Sequence, residues 1–127
     1  MSENKTEKLY KIISELRDPS SGCEWTKSQT SKTLLPFILE EAEELLNAFK
    51  NKDTHNFKEE LGDLLLQIVL QSKIAEENDL FSFDEVIDNL CEKLIRRHPY
   101  VFKEKRSHTI EEQREAYFRI KDLEKLK

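Results

Sequence analysis

The sequence predicts an all-α fold, a helical bundle of about five helices completed by homo-oligomerisation. Three observations predict it. Two Gly and three Pro in 127 residues leave few backbone breakers. Leu, Ile, Val and Phe recur at three- and four-residue spacing, the period of a helix. One segment is apolar nearly all round, and a chain this small cannot cover such a helix alone.

The first helix is expected over Thr6–Arg17, with Leu9, Ile12, Ile13 and Leu16 on one stripe. Asp18-Pro19 stops it, because a residue before proline avoids the helical region. Pro19 to Thr30 reads as a loop carrying one Trp. The second helix begins near Ser31 or Pro36 and runs to Lys50, with Leu35, Leu39, Ala42, Leu46 and Phe49 as its apolar face. The third covers Thr54 to Glu77, and Leu61, Leu64, Leu65, Leu66, Ile68, Val69, Leu70 and Ile74 surround it. Ser82 to Glu85 is a capping box, with Phe81 and Val86 spaced as a hydrophobic staple, and opens the fourth, which ends before His98-Pro99. A second box, Thr109 to Glu112, opens the fifth, which runs to the C-terminus.

The length suits a single domain over residues 1–127. Charged residues make up 37% of the chain, but the periodic apolar positions argue against disorder. A net charge of −5 argues against non-specific nucleic-acid binding and leaves room for a local basic patch. Cys23 and Cys91 form no CxxC pair and no disulfide framework. Met1 to Lys8 is polar and no apolar run reaches membrane-spanning length. The expected location is the cytoplasm, without a membrane partner.

The second expected helix carries Glu40, Glu41 and Glu44 within an arc about 100° wide, beside its apolar face. The third carries Glu60 and Asp63 one turn apart in the most apolar stretch of the chain, with Gly62 between them. Glycine there weakens a helix by roughly 1 kcal/mol and leaves room for close approach of backbone or ligand. Two carboxylates about 4 Å apart repel by about 4 kcal/mol at an effective dielectric near 20. Convergence of all five requires protonation or a divalent cation. An oxygen-only donor set selects hard ions, chiefly Mg²⁺ with Mn²⁺ possible, and Mg²⁺ sites of this kind take phosphoryl substrates. A Glu-rich helix surface is ordinary, and Glu43, Glu59, Glu76 and Glu77 read as a solvated face. Charges inside an apolar helix are not ordinary, because they need partners.

The fourth helix ends in Lys93, Arg96, Arg97 and His98. Cations favour a helix C-terminus in any case, yet Lys93 and Arg97 share a face and suit phosphate oxygens. His98 reads as structural, and His55 and His108 have no assigned role. Tyr117 and Lys121 stand one turn apart on the fifth helix, fit for a nucleotide or for anchoring the tail. Trp25 plugs a core edge or stacks a base.

Taken together, these residues resemble the MazG family of all-α nucleoside triphosphate pyrophosphohydrolases. Glu40-Glu41-Ala42-Glu43-Glu44 and Glu60-Leu61-Gly62-Asp63 look like its EExxE…ExxD signature. Leu16 to Pro19, Gly22 to Trp25 and Gln29-Thr30 look like its LRxPxxGCPWDxxQT stretch. Glu92 to Phe102 is similar to EKLxRRHPHVF, and Tyr117 to Lys125 to WxxIKxxEK. The resemblance implies that Glu41, Glu44, Glu60 and Asp63 ligate Mg²⁺, and that Glu40 binds metal or orients water. It implies that Lys93 and Arg97 hold phosphates, that Tyr117 and Lys121 complete the nucleotide site, and that Trp25 and Gln29 line the base pocket. It implies a homodimer, often paired into a tetramer. Glu24 and Thr26 stand where the family has Pro and Asp, and Tyr117 where it has Trp, so the base preference stays open.

The expected reaction is hydrolysis of (d)NTPs between the α- and β-phosphates, for nucleotide-pool control or house-cleaning. No Ser-His-Asp or Cys-His arrangement suggests a covalent intermediate. An alarmone hydrolase with the same metal site is an alternative, as is a catalytically silent oligomerisation or regulatory module. A di-iron bundle needs ExxH, and no Glu here is followed by His three residues later.

Overall fold

The computed structural model describes residues 4–103 and 108–126. Those residues form seven helices and no strand: α1 (Lys5–Leu16), α2 (Glu24–Ser28), α3 (Ser31–Lys50), α4 (Thr54–Glu77), α5 (Phe83–Arg97), α6 (Pro99–Phe102) and α7 (Ile110–Glu124). The five long ones are the five expected from periodicity. None of the described helices is long and apolar enough to cross a membrane.

Two short helices depart from expectation. The stretch read as a loop between Pro19 and Thr30 contains α2, a turn and a half that is too short to show a period. Tertiary bonds hold it. Arg17, 8% exposed at its side chain, grips both oxygens of Glu77 at 2.8 and 2.9 Å. Its remaining arm donates to the carbonyls of Thr26 at 2.6 Å and Gln29 at 3.1 Å. One guanidinium thus ties α1, the end of α2 and the C-terminal turn of α4 together. The other short helix, α6, opens with Pro99 at its first position, where a missing N–H costs nothing.

Caps set the long helices. The Thr30 hydroxyl accepts from Thr33 N–H at 3.2 Å, and the Thr33 hydroxyl accepts from Thr30 N–H at 2.8 Å. This reciprocal pair starts α3 at Ser31, so Pro36 lies inside the helix rather than at its start. The expected box at the last helix is present, with Glu112 N–H donating to Thr109 Oγ1 at 3.1 Å and Thr109 N–H to Glu112 Oε1 at 3.0 Å. The α5 helix begins immediately after Ser82. The α7 helix stops at Glu124, short of the expected C-terminal end, and Lys127 lies outside the described residues.

The chain forms two compact units, Met1–Phe83 and Asp84–Lys127. In the first, α3 and α4 make a helical hairpin and α1 packs on α4. Its core is Ile13, Leu34, Ala48, Val69, Leu70, Ile74 and Ala75. Tyr10 stacks on Phe83, ring centroids 5.5 Å apart. In the second, Arg96 and Arg97 of α5 bind Glu124 of α7, and His98 and Tyr117 face each other at 5.4 Å.

The sequence stripe of α3 needs correction. Leu35, Leu39, Ala42, Leu46 and Phe49 are all exposed, Leu39 at 71%. The packed stripe is Leu34, Ile38, Glu41, Leu45 and Ala48, one residue earlier at every step. Both stripes have a helical period, so spacing alone could not choose between them. Nor does a single chain bury α4 on every side. Val69, Leu70, Ile74 and Ala75 are buried, while Leu61, Leu65 and Ile68 remain 45–47% exposed.

The hairpin turn holds Lys52 at φ 56°, a left-handed conformation that costs a residue with a Cβ about 1 kcal/mol. Lys52→Gly is expected to raise unfolding stability by up to about 0.5–1 kcal/mol in urea titration. A loss instead would mean that unfolded-chain entropy outweighs the strain.

Candidate functional site

In the hairpin, residues equally far from the turn meet. Phe49 lies on Phe57 beside it, ring centroids 5.8 Å apart. At the far end Ser31 bonds Gln71, hydroxyl to Oε1 at 2.5 Å and carbonyl from Nε2 at 3.0 Å. Between these clasps, Glu41 of α3 comes opposite Glu60 and Asp63 of α4. One carboxylate oxygen from each lies within 4.8 Å of the others. Glu41 occupies the packed stripe between Ile38 and Leu45, which explains its partial burial.

Oε2 of Glu41 and Oε2 of Glu60 are buried and have no hydrogen-bond partner. The Glu41 carboxyl is pushed up to about 7. Burial is the main cause, followed by its hydrogen bond with Glu60 and the charges of Glu44, Asp63 and Glu60. Buried oxygens without donors, crowded by like charge, are an unsatisfied anionic site. A hard cation satisfies it, because every donor is a carboxylate oxygen and neither His nor Cys joins the group.

Of the five expected acids, Glu41, Glu60 and Asp63 converge. Glu44 is half-buried on the same face and acts on Glu41 through its charge, outside the convergent three. Glu40 is exposed. Gly62 fulfils the expectation of open space, since a Cβ built there meets nothing within 4 Å.

Trp25 is 54% exposed on α2 and meets Phe37 edge-on at 5.9 Å. The Gln29 side chain donates to the Trp25 carbonyl at 3.2 Å and accepts from Thr33 at 2.9 Å, spanning the α2–α3 junction. The local bonds of Gln29 are therefore structural.

In the second unit, Arg97 reaches Tyr117, Nη1 to hydroxyl at 3.2 Å, with the guanidinium 5.4 Å from the ring centre. Lys121 follows Tyr117 by one turn, and both are half-buried. Lys93 is half-buried one turn before Arg97 and pairs with no acid among the described residues. The sequence reading missed Glu124, which accepts from Arg97 at 2.7 and 3.1 Å and from Arg96 at 2.5 Å. A contact between residues 27 positions apart leaves no local signal. His98 Nδ1 lies 2.6 Å from the Leu94 carbonyl, a structural placement.

The two arginines hold the Glu124 carboxyl down to about 2, Arg97 more strongly than Arg96. A depressed carboxyl contributes stability above its unfolded value of 4.5 and loses it as pH falls toward 2. Contacts between α5 and α7 are therefore expected to survive at pH 4 and to loosen near pH 2, followed by amide exchange in α7.

Comparisons with known proteins bear on the family to which the chain belongs. A family model described as MazG nucleotide pyrophosphohydrolase domain matches residues 29–102, which include the carboxylates, Lys93 and Arg97. The nucleoside triphosphate pyrophosphohydrolase/pyrophosphatase MazG of Thermotoga maritima is 49% identical over 96 residues, 76% of this chain and 37% of that protein. The nucleoside triphosphate pyrophosphohydrolase of Escherichia coli is 38% identical over 122 residues, 96% of this chain and 46% of that protein. The chain thus spans less than half the length of these relatives. The crystal structure of a mazG-related protein from Thermotoga maritima superposes with a TM-score of 0.77 at 30% identity, covering 91% of this chain and 98% of that one. The family model covers more than half of the 127 residues, and the chain belongs to the MazG nucleotide pyrophosphohydrolase family.

Proposed function

We propose that the chain hydrolyses (deoxy)nucleoside triphosphates to nucleoside monophosphate and pyrophosphate in a Mg²⁺-dependent reaction, with Mn²⁺ as a possible substitute. The observation that carries this reading is the meeting of Glu41, Glu60 and Asp63, with two buried carboxylate oxygens lacking donors. Glu41, Glu60 and Asp63 would hold the ion, with Glu44 beside them. Bound there, Mg²⁺ supplies charge neutralisation and Lewis acidity at the triphosphate. Glu40, exposed one residue before Glu41, would orient a water molecule or join the ion in this reading. Lys93, Arg97, Tyr117 and Lys121 take the nucleotide in this reading, by resemblance to the family. Arg97 brings a guanidinium already set against the Tyr117 ring, and a phosphate must compete with Glu124 for it. Trp25 offers an exposed indole for a base, and Gln29 donates to the Trp25 backbone carbonyl beside it.

The same reading includes assembly as a homodimer or a pair of dimers. It is supported by two exposed apolar rows, Leu35, Leu39, Leu46 and Phe49 on α3 and Leu61, Leu65 and Ile68 on α4. Apolar surface on this scale favours a partner. Light scattering is expected to give at least twice the 15.1 kDa chain mass, and Leu39→Glu to lower it.

The direct test is pyrophosphate release from a panel of dNTPs, NTPs and alarmones with Mg²⁺. Release from triphosphates that stops in EDTA is expected. No pyrophosphate from any triphosphate, or full activity in Glu41→Ala, rejects the assignment. Base choice from the panel decides between house-cleaning of aberrant nucleotides and control of ordinary pools.

A further inference from the structure

The first unit holds a cavity of about 730 Å³ that the carboxylate cluster does not use. Ser14 and Arg17 of the α1 end, Asp18 and Lys27 of the α2 region, and Lys73 and Glu77 of α4 line it. Lys73 is ten residues beyond Asp63 on the same helix, about 15 Å along its axis.

Donors and acceptors in this cavity are unequal. Both Glu77 oxygens accept from Arg17. Asp18 Oδ1 accepts from the Ser20 and Ser21 amides at 2.9 and 3.1 Å and from the Ser21 hydroxyl at 3.3 Å. Glu77 is therefore engaged through both oxygens and Asp18 through one, and the bond from Arg17 is the main cause of the low Glu77 carboxyl. The cations keep a surplus. Lys27, 18% exposed, donates to the Pro19 carbonyl at 3.2 Å and to Glu24 at 2.8 Å, which leaves one of its three N–H groups. Arg17 has one N–H left on Nη2. Lys73 stands out, because its side chain is only 20% exposed and its ammonium makes no hydrogen bond among the described residues. The nearest acid oxygen, on Glu76, is 3.8 Å away, beyond bonding reach, and the other Glu76 oxygen accepts from the Tyr10 hydroxyl. The Tyr10 ring lies 5.6 Å from Lys73 Nζ and covers one side of it. The Lys73 ammonium therefore lines the cavity with donors that no acceptor among the described residues takes up.

We propose that this cavity binds a small tetrahedral oxyanion of the phosphate class, held by Lys73 with the spare donors of Lys27 and Arg17. Such an ion offers acceptors to the spare donors of these three side chains at once. The volume admits inorganic phosphate or pyrophosphate, and the site is separate from the carboxylate cluster.

Titration of the EDTA-treated full chain at pH 7, followed by calorimetry and by amide shifts, tests this. With inorganic phosphate or pyrophosphate as probe, saturable binding at a Kd of about 1 mM or tighter is expected. Shifts should centre on Ser14, Asp18, Lys27 and Lys73. Lys73→Gln should weaken binding at least about tenfold, and Lys73→Arg should keep most of it. Lys27→Gln gives an independent reading if Lys73→Gln does not fold, and should weaken binding too. Tighter binding of pyrophosphate than of phosphate identifies a polyphosphate ligand, and the reverse identifies free phosphate; either supports the site. The proposal is overturned by unchanged affinity in both Lys→Gln variants, by shifts confined to Lys93 and Arg97, or by failure to saturate below about 10 mM.

Discussion

Glu41→Gln is expected to cut pyrophosphate release by about 10²–10³-fold or more while making the metal-free protein more stable above pH 7. The two effects have one cause. Glu41 sits in the packed stripe of α3, where burial, Glu60 and the charges of Glu44 and Asp63 raise its carboxyl to about 7. A carboxyl raised in the folded state gives stability that is complete below 4.5, the unfolded value, and lost as pH rises through about 7. At pH 8 the metal-free wild type therefore carries a charge that the fold resists. Glutamine keeps the shape and removes that charge. The gain should be about 1–2 kcal/mol, after allowance for water around a half-exposed group. Mg²⁺ reverses the order. At a hundred times its Kd an ion that binds only the folded state adds about 2.7 kcal/mol, which the wild type should gain and the variant should not. Below pH 7 the ion must displace a proton from Glu41, so its affinity should fall by up to about tenfold per pH unit and level off above pH 8. Thermal unfolding with and without Mg²⁺ at pH 6 and pH 8 reads all of this. If Glu41→Gln is less stable than the wild type without metal at pH 8, the unsatisfied anionic site is wrong. If it keeps both the Mg²⁺ response and the activity, Glu41 is no ligand.

The same residue shows how far the chain could be read in advance. Helix lengths, caps and the order of the long elements follow from local spacing, and α1, α3, α4, α5 and α7 lie where periodicity puts them. That acids of α3 should meet Glu60 and Asp63 was legible too, because acids inside an apolar helix require company; which of them was not, since five were expected to converge and Glu40 and Glu44 stand outside the group. Which face of α3 turns inward was not. Leu35, Leu39, Leu46 and Phe49 make a better apolar stripe than Leu34, Ile38, Glu41, Leu45 and Ala48, and only the second packs within the chain. A sequence records every apolar surface, whether it is covered by the same chain or by another. Contacts made by long polar side chains were equally hidden. Arg17 binding Glu77, and Arg97 binding Glu124, join positions tens of residues apart with no periodic trace. The α2 helix depends on the Arg17 guanidinium, and its turn and a half has no pattern of its own to find.

Replacing Gly22 with alanine should have the largest effect on stability of any single methyl added to this chain. Its Cβ would stand 2.4 Å from the Leu16 carbonyl oxygen, 2.7 Å from that of Asp18 and 2.8 Å from the Asp18 nitrogen. All three are backbone atoms and cannot rotate away as a flexible side chain would. The φ at Gly22 is not positive, so the need is for space rather than for a left-handed turn. The closeness has a purpose in the fold. Gly22 N–H donates to the Asp18 carbonyl at 2.9 Å and Cys23 N–H to the Leu16 carbonyl at 2.8 Å, bonds that close the turn between α1 and α2. A Cβ opens that turn, breaks or stretches both bonds and pulls α2 off the Arg17 guanidinium. Overpacking together with two lost hydrogen bonds should cost about 2–4 kcal/mol in urea unfolding. Trp25, the only tryptophan, sits on α2 and reports the change by its fluorescence. Gly62→Ala is the matched control, because its Cβ meets nothing within 4 Å and it lies inside α4. Within one chain it should stabilise by about 0.5–1 kcal/mol. Equal effects from the two substitutions would show that propensity, not space, governs both. A Gly62→Ala chain that is stable but no longer assembles would place a second copy against that open face of α4.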